Sequence, residues 1–239
     1  GAAALVHRLA YRSTEPFPDD AASDALPSLG IEFDPLNSGW ATLDHSTFIL
    51  EPPVRSEEAM EQALLFLSDA LGRVRFSDAI VEREKAMLIE ELRARLGWQQ
   101  RVRDAVLPHL APDAGIEDHP PLPTLASVQA LDVDDARAYW ARVYDPARAT
   151  RSIAGDVSPP RAIEMAAKAF APLERDSDAR PAAMQAQFDP MDSLRTVALG
   201  DPDIVAPVIE IGRTTSALDG VRTATDLRSW IVNRVGERA

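Results

Sequence analysis

The amino-acid sequence predicts an α+β fold in which a mixed, mainly antiparallel sheet packs against helices. Segments typical of strands and of helices follow one another without strict alternation, which disfavours a doubly wound parallel sheet. The chain has 239 residues, 46% hydrophobic and 26% charged, which is ordinary for a globular protein. This length suffices for one large or two smaller domains with packed cores.

The acidic charge balance limits the classes of partner. Asp and Glu number 38 against 25 Lys and Arg, so the net charge is −13, which disfavours nucleic acid and anionic lipid. The sequence contains no cysteine, and this excludes disulfides, thiol nucleophiles and thiolate metal sites. No apolar stretch approaches the roughly 18 residues of a membrane span, and we see no signal-peptide pattern. Periplasmic and cytoplasmic locations both fit the sequence.

The first part of the chain predicts two helices and then two strands. Apolar residues at helical spacing predict a helix over 2–12, and a second, short helix over 20–30 ends at a glycine. Alternating and β-branched residues predict strands over 31–35 and 40–51, the second stopped by a pair of prolines.

Three helices follow, two of them with a serine in position to cap the first turn. Residues 56–72 open with Ser56 and two glutamates and close on a glycine. Residues 77–96 predict the longest helix, with Ser77 as its N-cap. A further helix is predicted over 99–110.

The next segments mix irregular structure, helices and one strand. Three prolines exclude regular structure over 118–124. A helix is predicted over 132–144, a strand ending in a Gly-Asp turn over 149–157, and a helix with proline in its first turn over 160–170.

The last part of the chain is separated by a polar segment without periodicity. Beyond it, the sequence predicts strands over 195–201 and 206–214 and an amphipathic helix over 223–237. The predicted organisation is a first module, a linker and the beginning of a second, similar module, over residues 1–173, 174–190 and 191–239.

The histidines do not form a recognisable catalytic or metal site by spacing. They are isolated from one another, and a lone histidine is usually structural or solvated. The four are His7, His45, His109 and His119. The sequence also lacks a Gly-rich phosphate loop and a nucleophile elbow.

Two glutamates of the longest predicted helix are more informative. Glu84 and Glu91 lie seven residues apart, so they share one helix face two turns apart. One interpretation is an ordinary solvated face of a helix rich in Glu and Arg. The other is a carboxylate metal ligand with a second carboxylate nearby.

Considered together with this helix, the opening residues GAAALVHRLAYRST resemble the pitrilysin/insulinase family of zinc metallopeptidases. Its inverted signature is H-x-x-E-H, in a context similar to G-x-A-H-x-x-E-H-x-A-[FY]-R-[GS]-T. The segment VEREKAMLIEELRAR is similar to the helix that supplies the third zinc ligand. Other segments that resemble the family are LPSLGIEFDPLNSGWATLDHSTFIL, VQALDVDDARAYWARVYDPARATRSIAGDVSP, LGDPDIVAPVIEIGRTT and TATDLRSWIVNRVGERA.

The resemblance covers nearly the whole chain and implies a metallopeptidase-type module followed by the start of another. It also implies that active members cleave peptides in a chamber built from several modules, some of which are inactive. Because family modules have strands before the motif helix, we expect this first module to lack its initial strands and the sequence to be part of a longer chain.

The family's zinc motif is changed at the positions that carry the chemistry. The alignment rests on the run Ala-Tyr-Arg at 10–12. It places Ala4 and Arg8 at the two zinc histidines, His7 at the catalytic base, Glu91 at the third ligand and Glu84 at the accessory glutamate. The family's strand dipeptide Asn-Ala is replaced by Ser38 and Gly39.

These substitutions disfavour zinc on chemical grounds. Ala4 offers no donor atom, and Arg8 cannot lose its proton and cannot ligate. A guanidinium about 4 Å from a dication would cost roughly 8 kcal/mol at an effective dielectric constant near 20. His7 with Glu91 makes at most two of the three ligands. We therefore expect no cofactor, although active family members use zinc.

The resemblance leads to two expectations about this region. We expect an Arg8–Glu91 ion pair at the former metal position, the alternative being a solvent-facing Arg8 on a frayed helix. We also expect the edge of the 40–51 strand, at Ser38, Gly39, Trp40 and Ala41, to accept a peptide as an added strand.

The favoured function is a non-catalytic homologue of a zinc metalloendopeptidase that acts as a structural, partner or peptide-binding module. Its partners would be further modules of the same chain, an active peptidase subunit, or peptides. One alternative is an active zinc metallopeptidase with a rearranged site made by His7, Glu84 and Glu91. Another is a scaffold protein that uses no peptide cleft.

Overall fold

The computed structural model describes most of the chain. The described residues are 1–34, 38–42, 45–110, 123–173, 196–207, 209, 223 and 225–228. They fall into two compact units, one containing 1–96 and 123–173, the other containing 97–110 and the described residues from 196 onward. The predicted linker lies outside the described residues, and the predicted module boundaries stay a prediction.

Helices make up most of the described structure. In chain order they are α1 (Ala2–Arg12), α2 (Ala22–Ser28), α3 (Glu57–Gly72), α4 (Asp78–Arg95), α5 (Trp98–Leu110), α6 (Leu125–Gln129), α7 (Val133–Val143) and α8 (Pro159–Phe170). The side chains of Ser56 and Ser77 accept hydrogen bonds from the first turns of α3 and α4, as the sequence predicts. All of these helices except α6 were predicted, and each prediction is confirmed. The missed α6 is a single short turn held by a capping box.

The sheet of the described residues is a two-stranded antiparallel hairpin, which with the helices confirms the α+β class. Strand β1 (Gly39–Ala41) pairs with β2 (Ser46–Phe48), with Trp40 opposite Thr47. The predicted single strand over 40–51 is wrong, because the chain reverses where the Thr42 N–H donates to the His45 carbonyl at 2.8 Å.

Three further predicted strands are also wrong within the described residues. Residues 31–34 contain only an isolated bridge, at Glu32. Residues 149–157 contain bends and no ladder, and Gly155 has a φ of 150°. Residues 196–201 likewise have no regular structure. Strand propensity describes how a side chain fits a pleated surface, and these residues meet no such surface there. Most of 206–214 and 223–237 lies outside the described residues, although 225–228 are helical.

Helix α1 is the centre of the first unit. Its residues Leu5–Tyr11 are all buried, and it contacts α3, α4, α7 and β1. A helix buried on every side has no solvent-facing stripe. The polar side chains of His7 and Arg8 must therefore find partners inside the protein.

Tyr11 joins this central helix to the hairpin. Its hydroxyl donates to the Ser38 carbonyl and accepts a hydrogen bond from the Ile49 N–H at 3.0 Å. Burial raises the pKa of Tyr11, so the hydroxyl keeps its proton and can donate. A Cβ at Gly39 would lie 2.1 Å from the Thr47 carbonyl oxygen and 2.9 Å from His7 Nε2, so the hairpin requires glycine at this position.

The second unit is held by an ion-pair cluster on α5. Arg101 donates to both carboxylate oxygens of Asp201, at 2.7 and 2.8 Å, and to Asp203 at 2.6 Å. The hydrogen bonds from Arg101 lower the pKa of Asp201 to about 2. This cluster attaches residues 201–203 to α5.

We predict that Tyr11→Phe lowers the free energy of unfolding by about 1–3 kcal/mol, because it leaves the partly buried Ser38 carbonyl and Ile49 N–H with one partner fewer. Urea unfolding measures the change, and hydrogen exchange at the Ile49 amide should accelerate. Tyr139→Phe on α7 is the control, since no hydrogen bond of its hydroxyl is found among the described residues, and we expect less than about 0.5 kcal/mol. Equal effects of the two substitutions would contradict this role of Tyr11.

Candidate functional site

The structure brings Arg8 and Glu91 together between α1 and α4. Arg8 Nη2 donates to Glu91 Oε1, and the side chains are 10% and 32% exposed. Arg8 points into the protein and not into solvent, because α1 is buried on all sides. The position that the resemblance assigns to a zinc histidine is therefore occupied by a cation that is bound to the residue at the third-ligand position.

Glu84 lies on α4 two helical turns before Glu91 and is wholly buried. Its Oε1 is 3.2 Å from Arg12 Nε and 3.2 Å from Arg83 Nη2. Asp20 completes the group, because its two carboxylate oxygens accept from Arg12 Nη1 at 2.9 and 3.1 Å. Glu84 is thus compensated by two arginines.

These ion pairs form a charged layer, which we define as Arg8, Arg12, Asp20, Arg83, Glu84 and Glu91. Its three cations and three carboxylates cancel. Burial raises the pKa of Asp20, but hydrogen bonds from Arg12 and Ser23 outweigh burial and hold this pKa below its usual value. Arg12, Asp20 and Arg83 were not predicted from the sequence as members of this site. The four-residue spacing of Arg8 and Arg12 on α1 was the available signal for Arg12.

His7 faces the hairpin and not the charged layer's carboxylates. It is 5% exposed, and its Nε2 lies 2.9 Å from the Thr47 carbonyl oxygen. A carbonyl only accepts, so we assign the ring proton to Nε2. Burial lowers the pKa of His7, and the ring packs against Phe48 with centroids 4.7 Å apart. A neutral His7 with a proton on Nε2 has no lone pair to offer at that atom.

These residues do not fit the zinc that the family resemblance implies. Ala4 has no donor, Arg8 repels a cation, and His7 Nε2 is protonated. Among the described residues, no cluster of three histidine or carboxylate side chains is arranged to hold a metal. Two of the three ligand positions that the resemblance implies, Arg8 and Glu91, are paired with each other.

The predicted peptide-binding edge lies at the start of the hairpin. The Ser38 carbonyl accepts from the Tyr11 hydroxyl and from the Ile49 N–H. Gly39 packs close to His7, and Trp40 is 49% exposed. Ala41 ends β1, which within the described residues pairs with β2 alone. Peptide binding at this edge stays a prediction.

Comparison with known proteins shows which family this chain is similar to. The family model described as "Peptidase M16 inactive domain" matches residues 130–227. The stromal processing peptidase of rice chloroplasts (Oryza sativa subsp. indica) is 26% identical over 163 residues, 66% of this chain and 13% of that protein. The probable zinc protease PqqL of Escherichia coli is 21% identical over 165 residues, 69% of this chain and 18% of that protein.

Solved structures show the same fold. The first half of the periplasmic protease PqqL from E. coli has a TM-score of 0.70 and 19% identity, covering 78% of this chain and 40% of that one. The chain is similar to members of the pitrilysin/insulinase-type M16 peptidase family, as the resemblance of its sequence implies. It spans less than a fifth of the length of the curated relatives quoted above. Among the described residues, the helices are too short or too polar to cross a membrane.

We predict that Arg8 and Glu91 stabilise the protein as a pair. Arg8→Met leaves Glu91 without its partner and should destabilise, whereas adding Glu91→Gln should recover much of the loss. The double-mutant coupling energy should be about 2 kcal/mol, between the values typical of exposed and buried pairs. Arg93 and Glu90, an exposed pair on α4, are the matched control and should couple by less than about 0.5 kcal/mol. Equal coupling in the two pairs would contradict this prediction.

We predict that His7 makes the protein less stable as the pH falls. Its folded-state pKa is lowered, so below the unfolded-state value of about 6.5 the unfolded chain binds a proton that the folded chain does not. His7→Gln keeps an amide donor for Thr47 and removes the titration. Between pH 7 and 5, the wild type should lose stability relative to this variant with a slope of up to about 1.4 kcal/mol per pH unit. Parallel pH curves in urea unfolding would refute this.

Proposed function

We propose that the chain is a non-catalytic homologue of a zinc metalloendopeptidase and acts as a structural, partner or peptide-binding module. The observation that supports the proposal is the ion pair between Arg8 and Glu91, which the resemblance assigns to two positions of zinc ligands. Arginine stays protonated at any physiological pH, so it can neither ligate a metal nor leave its carboxylate by titration.

The charge balance of this site supports the proposal. The charged layer is neutral without a metal, and a dication placed there would add two charges next to a guanidinium. The candidate for a general base is equally altered, because the family's glutamate is replaced by His7, which is buried and neutral. Neither a metal-bound water nor a carboxylate base has a residue to hold it at these positions.

The alternative site made by His7, Glu84 and Glu91 has little chemical support. His7 uses Nε2 to donate to Thr47, whereas Glu84 and Glu91 are engaged with arginines. Zinc at this site would have to displace the arginines from Glu84 and Glu91, and buried ion pairs are costly to separate.

The chain matches only a small part of each relative. This favours the interpretation that it functions as one module of a larger protein. The chain corresponds to 13% of the rice stromal processing peptidase and 18% of PqqL. Under this proposal, its partners are further modules of the same chain or an active peptidase subunit. Peptides would bind by adding a strand at Ser38–Ala41.

We predict that the purified 239-residue chain takes up less than about 0.1 zinc per chain when titrated with zinc chloride and measured by atomic emission after gel filtration. The combined substitution Ala4→His, His7→Glu and Arg8→His is the matched control. It rebuilds two imidazoles and a carboxylate on α1 opposite Glu91 and should bind about one zinc.

Stoichiometric zinc in the wild type, lost in Glu91→Gln and accompanied by chelator-sensitive cleavage of casein, would overturn the proposal and support the rearranged site. The rebuilt variant guards against a false negative, because its zinc uptake shows that the assay detects a site in this fold.

A further inference from the structure

The turn between α1 and α2 has an unfavourable backbone conformation. Asp19 has a φ of 52° and a ψ of 46°, and Asp20 has a φ of 75°. These angles lie in the left-handed region, where the Cβ of an L-residue crowds the following carbonyl oxygen. Three residues other than glycine have a positive φ in the described part of the chain, and two of them are adjacent here. Such strain persists only where surrounding contacts hold it, and it is frequent in segments that switch conformation.

The contacts that hold this turn are made by the side chain of Asp20. Its carboxylate accepts from Arg12 Nη1 at 2.9 and 3.1 Å and from the Ser23 hydroxyl at 2.9 Å. Arg83 Nη2 lies 3.6 Å from the same carboxylate. Hydrogen bonds between charged groups are stronger than those between neutral groups. The side chain of Asp20 therefore offsets the strain of the backbone to which it belongs.

The rest of the turn is attached weakly. We call residues 16–21 the strap. Pro16 and Pro18 have no N–H to donate, and the Asp19 N–H reaches the Ser13 hydroxyl only at 3.4 Å. Segments with an exposed backbone and few buried apolar contacts open most readily. Apart from the ion pairs of Asp20, few interactions thus oppose opening of the strap.

The segments on either side of the strap are fixed more firmly. Before it, α1 is buried over Leu5–Tyr11, and after it, α2 buries Ala22 and Leu26 in the core. Within the strap, Phe17 is only partly buried, with its ring centroid 5.8 Å from that of Phe66. An opening of the strap can therefore take place with α1 and α2 still packed.

Opening of the strap changes the charge between α1 and α4. Without Asp20, the charged layer has three guanidinium groups and two carboxylates, so a neutral interface gains one positive charge. Arg12 cannot follow the strap outward, because it also contacts the wholly buried Glu84, and an unpaired buried carboxylate is costly. The strap thus moves without Arg12.

We infer that the strap is a strained latch, which closes when Asp20 binds Arg12 and Arg83 and opens locally when these ion pairs break. Opening loses charged hydrogen bonds but releases two left-handed residues, so the two contributions oppose each other. The open state leaves Arg12 with one carboxylate partner instead of two. This device is separate from the proposed non-catalytic function, since it requires neither a metal nor a peptide.

The test is amide hydrogen exchange of the full chain, followed by NMR at Ala21, whose N–H donates to the Pro18 carbonyl at 3.0 Å. A local opening exposes little surface, so exchange at Ala21 should not change between no urea and about 1 M urea. Exchange at Leu9, which is wholly buried in α1, should accelerate over the same range. Equal urea dependence at the two amides would overturn the local opening.

Two substitutions test the two opposing contributions. Asp20→Asn removes the charge that closes the latch and should speed exchange at Ala21 about tenfold. Asp19→Gly removes the left-handed strain and should slow this exchange about threefold. If Asp20→Asn prevents folding, the urea dependence of the wild type and the opposite effect of Asp19→Gly still decide the inference. Unchanged exchange in both variants would overturn it.

Asp24→Asn and Ala21→Gly are the matched controls. Asp24 is exposed on α2, and we find no ion pair of its side chain with any described residue. Ala21 has a φ of −58°, so glycine relieves no strain there. Neither control should reproduce the effect of its counterpart on the protection of residue 21. Faster exchange in Asp24→Asn equal to that in Asp20→Asn, or slower exchange in Ala21→Gly equal to that in Asp19→Gly, would contradict the latch.

Discussion

The burial of α1 on every side is the constraint on which the rest of this unit depends. A helix with no exposed face can carry polar groups only where each finds a partner, because an unpaired buried charge is costly. Arg8 and Arg12 meet this requirement through the carboxylates of α4 and of Asp20. His7 and Tyr11 meet it through the hairpin backbone. The packing of α1 therefore fixes both α4 and the hairpin.

The same contacts explain why residues at motif positions remain important for the fold. The resemblance assigns His7 to the position of a base, yet in this structure His7 connects α1 to β2 by its hydrogen bond to the Thr47 carbonyl. Gly39 permits that approach, since a Cβ there would collide with the Thr47 carbonyl. His7 and Gly39 thus serve here as contacts between secondary structure elements.

The sequence predicted most helices because their caps and periodicity are local signals. It failed at 40–51, where a turn at Thr42–His45 divides an apolar run that looks continuous. For the site, the resemblance brought Arg8 and Glu91 into one hypothesis, and the structure pairs them. Asp20 and Arg83 could not be predicted, because their contacts depend on how the 18–20 turn and α4 pack around Arg12.

Because the charged layer is neutral, folding of this unit does not depend on a bound metal. Three guanidinium groups balance three carboxylates, so the α1–α4 packing needs no metal to offset charge. The hairpin is attached to α1 by Tyr11, His7 and Gly39, none of which uses a carboxylate of that layer. Under the proposed function, replacement of a metal by arginine removes catalysis and leaves the edge of β1 in place. A module built this way can still present a strand to a peptide, because strand addition uses backbone groups and not the metal position.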